Sequence, residues 1–167
     1  MRSLFIVALC ALGSALLGCD KDKGSTAAPA KDGVAIVPPT YGATSNVSAE
    51  AREKCKFDDD LGDELVEAIP GSGLSTSAAA DKRLIVEITR ITGAEATWEG
   101  AISVILEGTL ESHGETVGSF RLKRSSLGGV AGGMGAVCRG LDKLAEETAL
   151  DIADFVARPK KDADIGE

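Results

Sequence analysis

The sequence is poor in the groups from which small catalytic sites are built. It holds a single histidine, His113, so a zinc site made of several imidazoles is excluded, and any Ser-His pair would have to use that one ring. No Cys-x-x-Cys occurs, which removes the usual spacing of a redox-active dithiol. Basic clusters are missing as well: 18 Lys and Arg are interspersed among 26 Asp and Glu, for a formal net charge of -8. Binding to phosphate backbones needs a concentrated basic surface that releases counterions, so nucleic acid is not an expected partner. No apolar run reaches the roughly twenty residues that a membrane-spanning helix needs.

What is present starts with a shorter run. Arg2 supplies a positive start, residues 4–17 are almost uncharged and apolar, and Leu16-Leu17-Gly18-Cys19 places a small residue before a cysteine. This stretch resembles a bacterial lipobox. The resemblance implies a signal peptide over 1–18, cleavage before Cys19, diacylglyceryl (with palmitate-type chains) on the Cys19 sulfur and acylation of the new amino terminus. Each buried methylene contributes about 0.8 kcal/mol, so several chains make a durable anchor where one would be marginal. Asp20 resembles the inner-membrane retention signal of enteric bacteria, whereas Lys21 is not its usual neighbour; the choice between inner and outer membrane stays open.

If Cys10 leaves with the signal and Cys19 carries lipid, Cys55 and Cys138 remain as a pair in an oxidising compartment, and a disulfide is expected. They are 83 positions apart.

Residues 19–47 are rich in Lys, Asp, Gly, Ala, Pro, Ser and Thr and read as a flexible tether, with Val34-Ala35-Ile36-Val37 before Pro38-Pro39 as a candidate edge strand. A domain is expected over 48–159. It opens with helix-forming composition at 48–56. Leu61, Leu65, Val66 and Ile69 then follow at helical spacing, with Asp60 and Asp63 as a capping arrangement and a stop before Pro70. Asp58 and Asp60 have one spacing of a calcium loop, but the rest of that pattern is missing.

Three runs alternate like strands. Leu84, Val86, Ile88, Ile102, Val104, Leu106, Phe120 and Leu122 are the expected buried face, and Ile85, Glu87, Thr89, Ser103, Ile105, Glu107, Arg121 and Lys123 the other. Parity pairs Leu106 with Phe120 and requires a three-residue turn, Ser112-His113-Gly114, at the cost of setting Glu111 opposite Glu115. Trp98 lies in the connection before the second run. Residues 127–135 are glycine-rich but lack the Gly-Lys-Ser/Thr ending of a P-loop, so they read as a connector. Val137, Leu141, Leu144, Ala145, Thr148, Ile152, Phe155 and Val156 form one stripe of a last helix that ends before Pro159. Residues 160–167 read as a disordered tail.

The expected fold is α+β: a two-layer domain with an antiparallel sheet of three or four strands covered on one face by helices. This order resembles the small α+β domains of envelope lipoproteins, broadly the amino-terminal domain of TolB and the penicillin-binding-protein activator LpoB. It is more closely similar to uncharacterised proteobacterial lipoproteins with a Cys before a helix, a Gly-rich segment, then Cys and an Ala-Leu-x-x-Asp-Ile-Ala-like helix. Here those residues are Cys55, 128–135, Cys138 and Ala149-Leu150-Asp151-Ile152-Ala153. The resemblance brings no catalytic residue, cofactor or metal. The resulting expectation is a membrane-anchored, non-catalytic interaction module of the cell envelope that contacts a protein or the cell wall, with Ile85, Ile105, Arg121 and Lys123 as the partner face. A small hydrolase using Ser125 or Ser126, or a ligand carrier with a deep apolar pocket, is the alternative.

Overall fold

Alternation in the three long runs builds the centre of the molecule. The structure is a computed structural model, and it describes residues 33–95, 100–126 and 132–166. Cys19, the signal segment, Trp98 and residues 127–131 of the glycine-rich segment lie outside the described residues. The elements are β1 (Gly33–Ile36), β2 (Thr40–Tyr41), α1 (Ala49–Cys55), α2 (Phe57–Gly71), β3 (Ser75–Thr76), β4 (Lys82–Thr92), β5 (Ser103–Ser112), β6 (Glu115–Ser125), α3 (Met134–Ala157) and β7 (Ala163–Gly166). All eight residues expected on the inner sheet face are buried. They form one apolar cluster with Phe57, Leu61, Leu65 and Ile69 of α2 and with Leu141, Leu144, Ile152 and Phe155 of α3.

The α+β class holds, but the sheet is larger than expected and mixed in direction. Among the described residues it has seven strands in the order β3-β1-β4-β5-β6-β7, with β2 also paired to β4. Only β4–β5–β6 is antiparallel; β1 runs parallel to both β3 and β4, β2 parallel to β4, and β7 parallel to β6. Two boundaries move as a consequence. The tether expected over 19–47 gives way to ordered sheet at Gly33, because β1 and β2 are one interrupted strand beside β4. Val37 N donates to Leu84 O at 2.9 Å and Gly42 N to Ile88 O at 3.1 Å, and the break falls on Pro38-Pro39, which have no N–H to offer a ladder. The tail expected to be disordered over 160–167 instead supplies β7. Ser119 holds it: Asp162 N donates to Ser119 Oγ at 2.7 Å, Ser119 Oγ donates to Asp162 Oδ1 at 3.0 Å, and Ser119 N donates to Lys160 O at 3.0 Å. Ala163 and Ile165 then pack against the core.

The β5–β6 turn is also tighter than parity required. Ser112 pairs with Glu115, leaving the two-residue loop His113-Gly114, with φ of 53° and 82° at its two positions, the geometry that hairpin twist favours. Taken alone, that loop would turn Phe120 outward. An irregularity between Leu110 and Glu111 corrects it: Glu111 pairs with Thr116 but Leu110 with Gly118, so exposed Val117 is the extra residue. Leu106 therefore opposes Leu122, Gly108 opposes Phe120, and Glu111 is spared a like-charged neighbour at Glu115.

In the helical layer, Ser48 caps α1 by accepting from Ala51 N at 3.2 Å. Lys56, at φ 46°, ends α1 and starts α2. The expected Asp60/Asp63 cap is not there, since α2 already begins at Phe57 and has no side-chain cap. Asp58, Asp59 and Asp60 lie in its first turn, where the positive end of the dipole favours carboxylates. The helix also runs through Pro70 to Gly71 rather than stopping before it, and Val66 is 49 % exposed, outside the stripe. The stripe on α3 is buried throughout; Thr148 satisfies its hydroxyl by donating to Leu144 O at 2.6 Å and reaching Ala145 O at 3.0 Å. Cys55 and Cys138 form a disulfide with a Cα separation of 4.8 Å.

Candidate functional site

The helices and the disulfide occupy one side of the sheet, and among the described residues no helix covers the other. The β4–β5–β6 registers lay out that open face row by row. Arg83 faces Glu111; Ile85, Thr109 and Ser119 follow; then Glu87, Glu107 and Arg121, continued by Asp164 of β7; then Arg90, Ile105 and Lys123; finally the hydroxyl row Thr92, Ser103 and Ser125. Arg90 joins its row through a bulge: the β4 register shifts between Ile88 and Arg90, and Thr89 Oγ1 donates to Ile105 O at 3.0 Å.

The four residues expected to form a partner face thus lie on one surface. Ile85 and Ile105 are half-buried and Arg121 and Lys123 exposed. Three shallow depressions occur there. One of about 540 Å³ is bounded by Ile85, Glu87, Ser119, Arg121 and Asp164, one of about 380 Å³ by Thr44, Thr89, Arg90, Ile105 and Arg121, and one of about 420 Å³ by Arg121, Lys123, Asp164 and Ile165. Arg121 is common to all three. Among the described residues, Arg90, Arg121 and Lys123 make no ion pair within 4 Å. Arg124, by contrast, forms a two-pronged pair with Asp151 of α3 at 2.7 and 2.8 Å and ties β6 to the helical layer.

The Ser-His arrangement of the hydrolase reading is not assembled. His113 is at the β5–β6 turn, while Ser125 ends β6 at its far end, on the order of 40 Å along an extended strand. Ser126 is occupied in structure, its hydroxyl accepting from Ile102 N at 2.9 Å. Among the described residues no group of three or more His, Cys, Asp or Glu is placed to hold a metal ion, so Asp58 and Asp60 do not converge with a third such ligand.

Two clusters on the covered side escaped the sequence reading. Tyr41 of β2 lies under the Arg52 guanidinium, 4.3 Å from its ring centroid. Burial and then the neighbouring Asp58 carboxylate push its phenol up to about 12. Nothing in the polar surroundings of a single tyrosine signalled this.

The second cluster is a seam of acids. Asp60 neighbours Asp142 and Glu64 neighbours Glu146, close to the offset of Cys55 and Cys138, so α2 and α3 run parallel. The Asp60 carboxyl is raised above its ordinary value by partial burial first, then by Asp142, Asp59 and Asp63. Burial and these like charges outweigh the helix dipole there. A carboxyl that is raised in the fold binds its proton more tightly there than in the unfolded chain. Its stabilising effect is therefore complete below the ordinary carboxylate range and is lost as pH rises through the folded-state value. Replacing Asp60 with Asn is expected to raise stability at neutral pH by about 0.5 kcal/mol, the scale of exposed charge effects, and to flatten the pH dependence above about pH 4. Urea denaturation between pH 4 and 7 measures this; a variant less stable than wild type at neutral pH would contradict it.

No protein-family model matches this chain, and neither does any curated protein. Solved structures do. A Xanthomonas campestris protein of the DUF330 family superposes with a TM-score of 0.58 at 15% identity, over 79% of this chain and 87% of that one. A Helicobacter pylori protein described as a homolog of a neuraminyllactose-binding hemagglutinin reaches 0.50 at 14% identity, over 78% and 88%. A minor lipoprotein from Acinetobacter baumannii gives 0.47 at 12% identity, over 76% and 93%. At these identities the first two establish a shared fold and nothing about chemistry; the third is too weak to carry an argument.

Proposed function

We propose that this chain is a lipid-anchored lipoprotein of a bacterial envelope, and that its domain is a non-catalytic interaction module that meets its partner through the open sheet face. The observation that carries the reading is Leu16-Leu17-Gly18-Cys19 at the end of a short apolar run, followed by a domain in which, among the described residues, no helix covers one sheet face. A disulfide between Cys55 and Cys138 suits the oxidising compartment that such a signal leads to. The anchor comes from acyl chains, and among the described residues no helix is long and apolar enough to cross a membrane. Metabolic labelling with a fatty-acid probe tests the anchor. Wild type is expected to incorporate the probe and sediment with membranes, and Cys19→Ser to do neither; equal labelling of the two would defeat the reading. For the module, Ile105→Ser with Arg121→Glu is expected to reduce crosslinked partner recovery from membranes with folding intact. Unchanged recovery would rule this face out.

A further inference from the structure

The open face carries a chemical pattern beyond its being uncovered. Its depressions are shallow and adjoin one another around Arg121, an extended surface that suits a chain-like ligand better than a compact one. Arg90 and Lys123 flank Ile105 in one row, with no carboxylate between them, and Arg121 sits one row away. Hydroxyls surround these cations: Thr44 and Thr89 beside Arg90, and Thr92, Ser103 and Ser125 in the next row. Carboxylates are present too, with Glu107 and Asp164 on either side of Arg121 in register and Glu87 beyond Glu107.

This mixture discriminates between occupants. A uniformly anionic membrane surface would gain from Arg90, Arg121 and Lys123 but be repelled by Glu87, Glu107 and Asp164, in a chain already at -8. A saccharide chain bearing acidic groups meets both kinds of residue. Its carboxylates or phosphates pair with the guanidinium and ammonium groups, its hydroxyls donate to Glu87, Glu107 and Asp164 and exchange bonds with the Ser and Thr rows, and the apolar face of a sugar ring can lie on Ile105. We infer that the open sheet face binds an acidic saccharide chain, with Arg121 as its central anion contact and Arg90 and Lys123 beside Ile105 as the second. This rests on the reading of that face as the contact surface and adds the chemistry of the occupant.

The test uses the full chain carrying Cys19→Ser, with trigalacturonate as probe, maltotriose as neutral control and phosphatidylglycerol vesicles as the lipid arm. Calorimetry and amide NMR read binding and its location. Trigalacturonate is expected to bind below about 10 mM, with shifts confined to β4–β6 around Arg90, Ile105, Arg121 and Lys123. Maltotriose should bind at least about tenfold more weakly, and Arg121→Gln or Lys123→Gln should each weaken trigalacturonate about tenfold with an unchanged melting temperature, since among the described residues neither side chain makes an ion pair. No binding of trigalacturonate, equal binding of maltotriose, shifts on the helical side, or binding of the vesicles alone would each overturn the inference. Face-dependent recovery of a partner protein alongside any of those results would leave the module reading standing while removing the saccharide.

Discussion

Chain lacking the Cys55–Cys138 bridge is expected to melt roughly 10–20 °C below wild type. The bridge closes a loop of 83 positions that contains α2, β3 and the whole antiparallel centre of the sheet. Constraining such a loop removes about 4.5 kcal/mol of chain entropy from the unfolded state in the loop-closure model. The native side has little to lose beyond it: Cys55 is buried at the end of α1, and α1 and α3 remain packed on the same core. The double variant Cys55→Ala, Cys138→Ala, compared with oxidised and reduced wild type by calorimetry, separates the entropic effect from local packing. Reduced wild type and the double variant should melt together, both well below oxidised wild type. A shift smaller than about 3 °C would show that the unfolded chain is already restricted by other means or that the bridge strains the fold.

How much of this architecture could be read from the residues depended on element length. In β4, β5 and β6 ten or eleven residues give several alternations each, and every residue assigned to the inner face is buried. The α3 stripe, from Val137 to Val156, covers more than about five turns at 3.6 residues each and is equally legible. Strand β1 was legible as the apolar run Val34-Ala35-Ile36-Val37, although it lies between β3 and β4 rather than at an edge; β2, β3 and β7 have only two to four residues, too few to show a period, and they lie in polar, Pro-rich or small-residue surroundings. Their place comes from parallel pairing to strands already formed, a non-local fact. The start of α2 was hidden for another reason. It turns on Lys56 at φ 46°, where sequence habit expects glycine or asparagine.

The site was legible in the same uneven way. Parity placed Ile85, Ile105, Arg121 and Lys123 on one face, because alternation needs no register. It missed Arg90, whose presence beside Ile105 depends on the bulge after Ile88, and it missed Asp164, which arrives with β7. The face is a matter of pattern, but its neighbours are a matter of register, and the two bulges in β4 and β6 set that register.

The same register leads to the second large effect, at Phe120. Its partner in β5 is Gly108, and a Cβ on Gly108 would collide with Phe120 Cζ and lie 2.9 Å from Ile85 O. The ring therefore occupies the volume that a side chain at 108 would need, and it covers strand backbone that glycine leaves bare. It also meets Phe155 of α3 edge-on, with centroids 4.8 Å apart at 60°. Phe120→Ala is expected to cost about 3–5 kcal/mol, from lost burial and the cavity left against α3. Gly108→Ala alone should cost about 1–3 kcal/mol through overpacking against that ring. Combined, the two should fall short of additivity by on the order of 1 kcal/mol, because removing the ring frees the space that the new methyl enters, while Ile85 O still limits full relief. Urea denaturation of the four chains gives the coupling directly. Strict additivity would mean that Phe120 does not lie over Gly108, and with it the two-residue turn and the Val117 bulge that bring those residues opposite each other would fall.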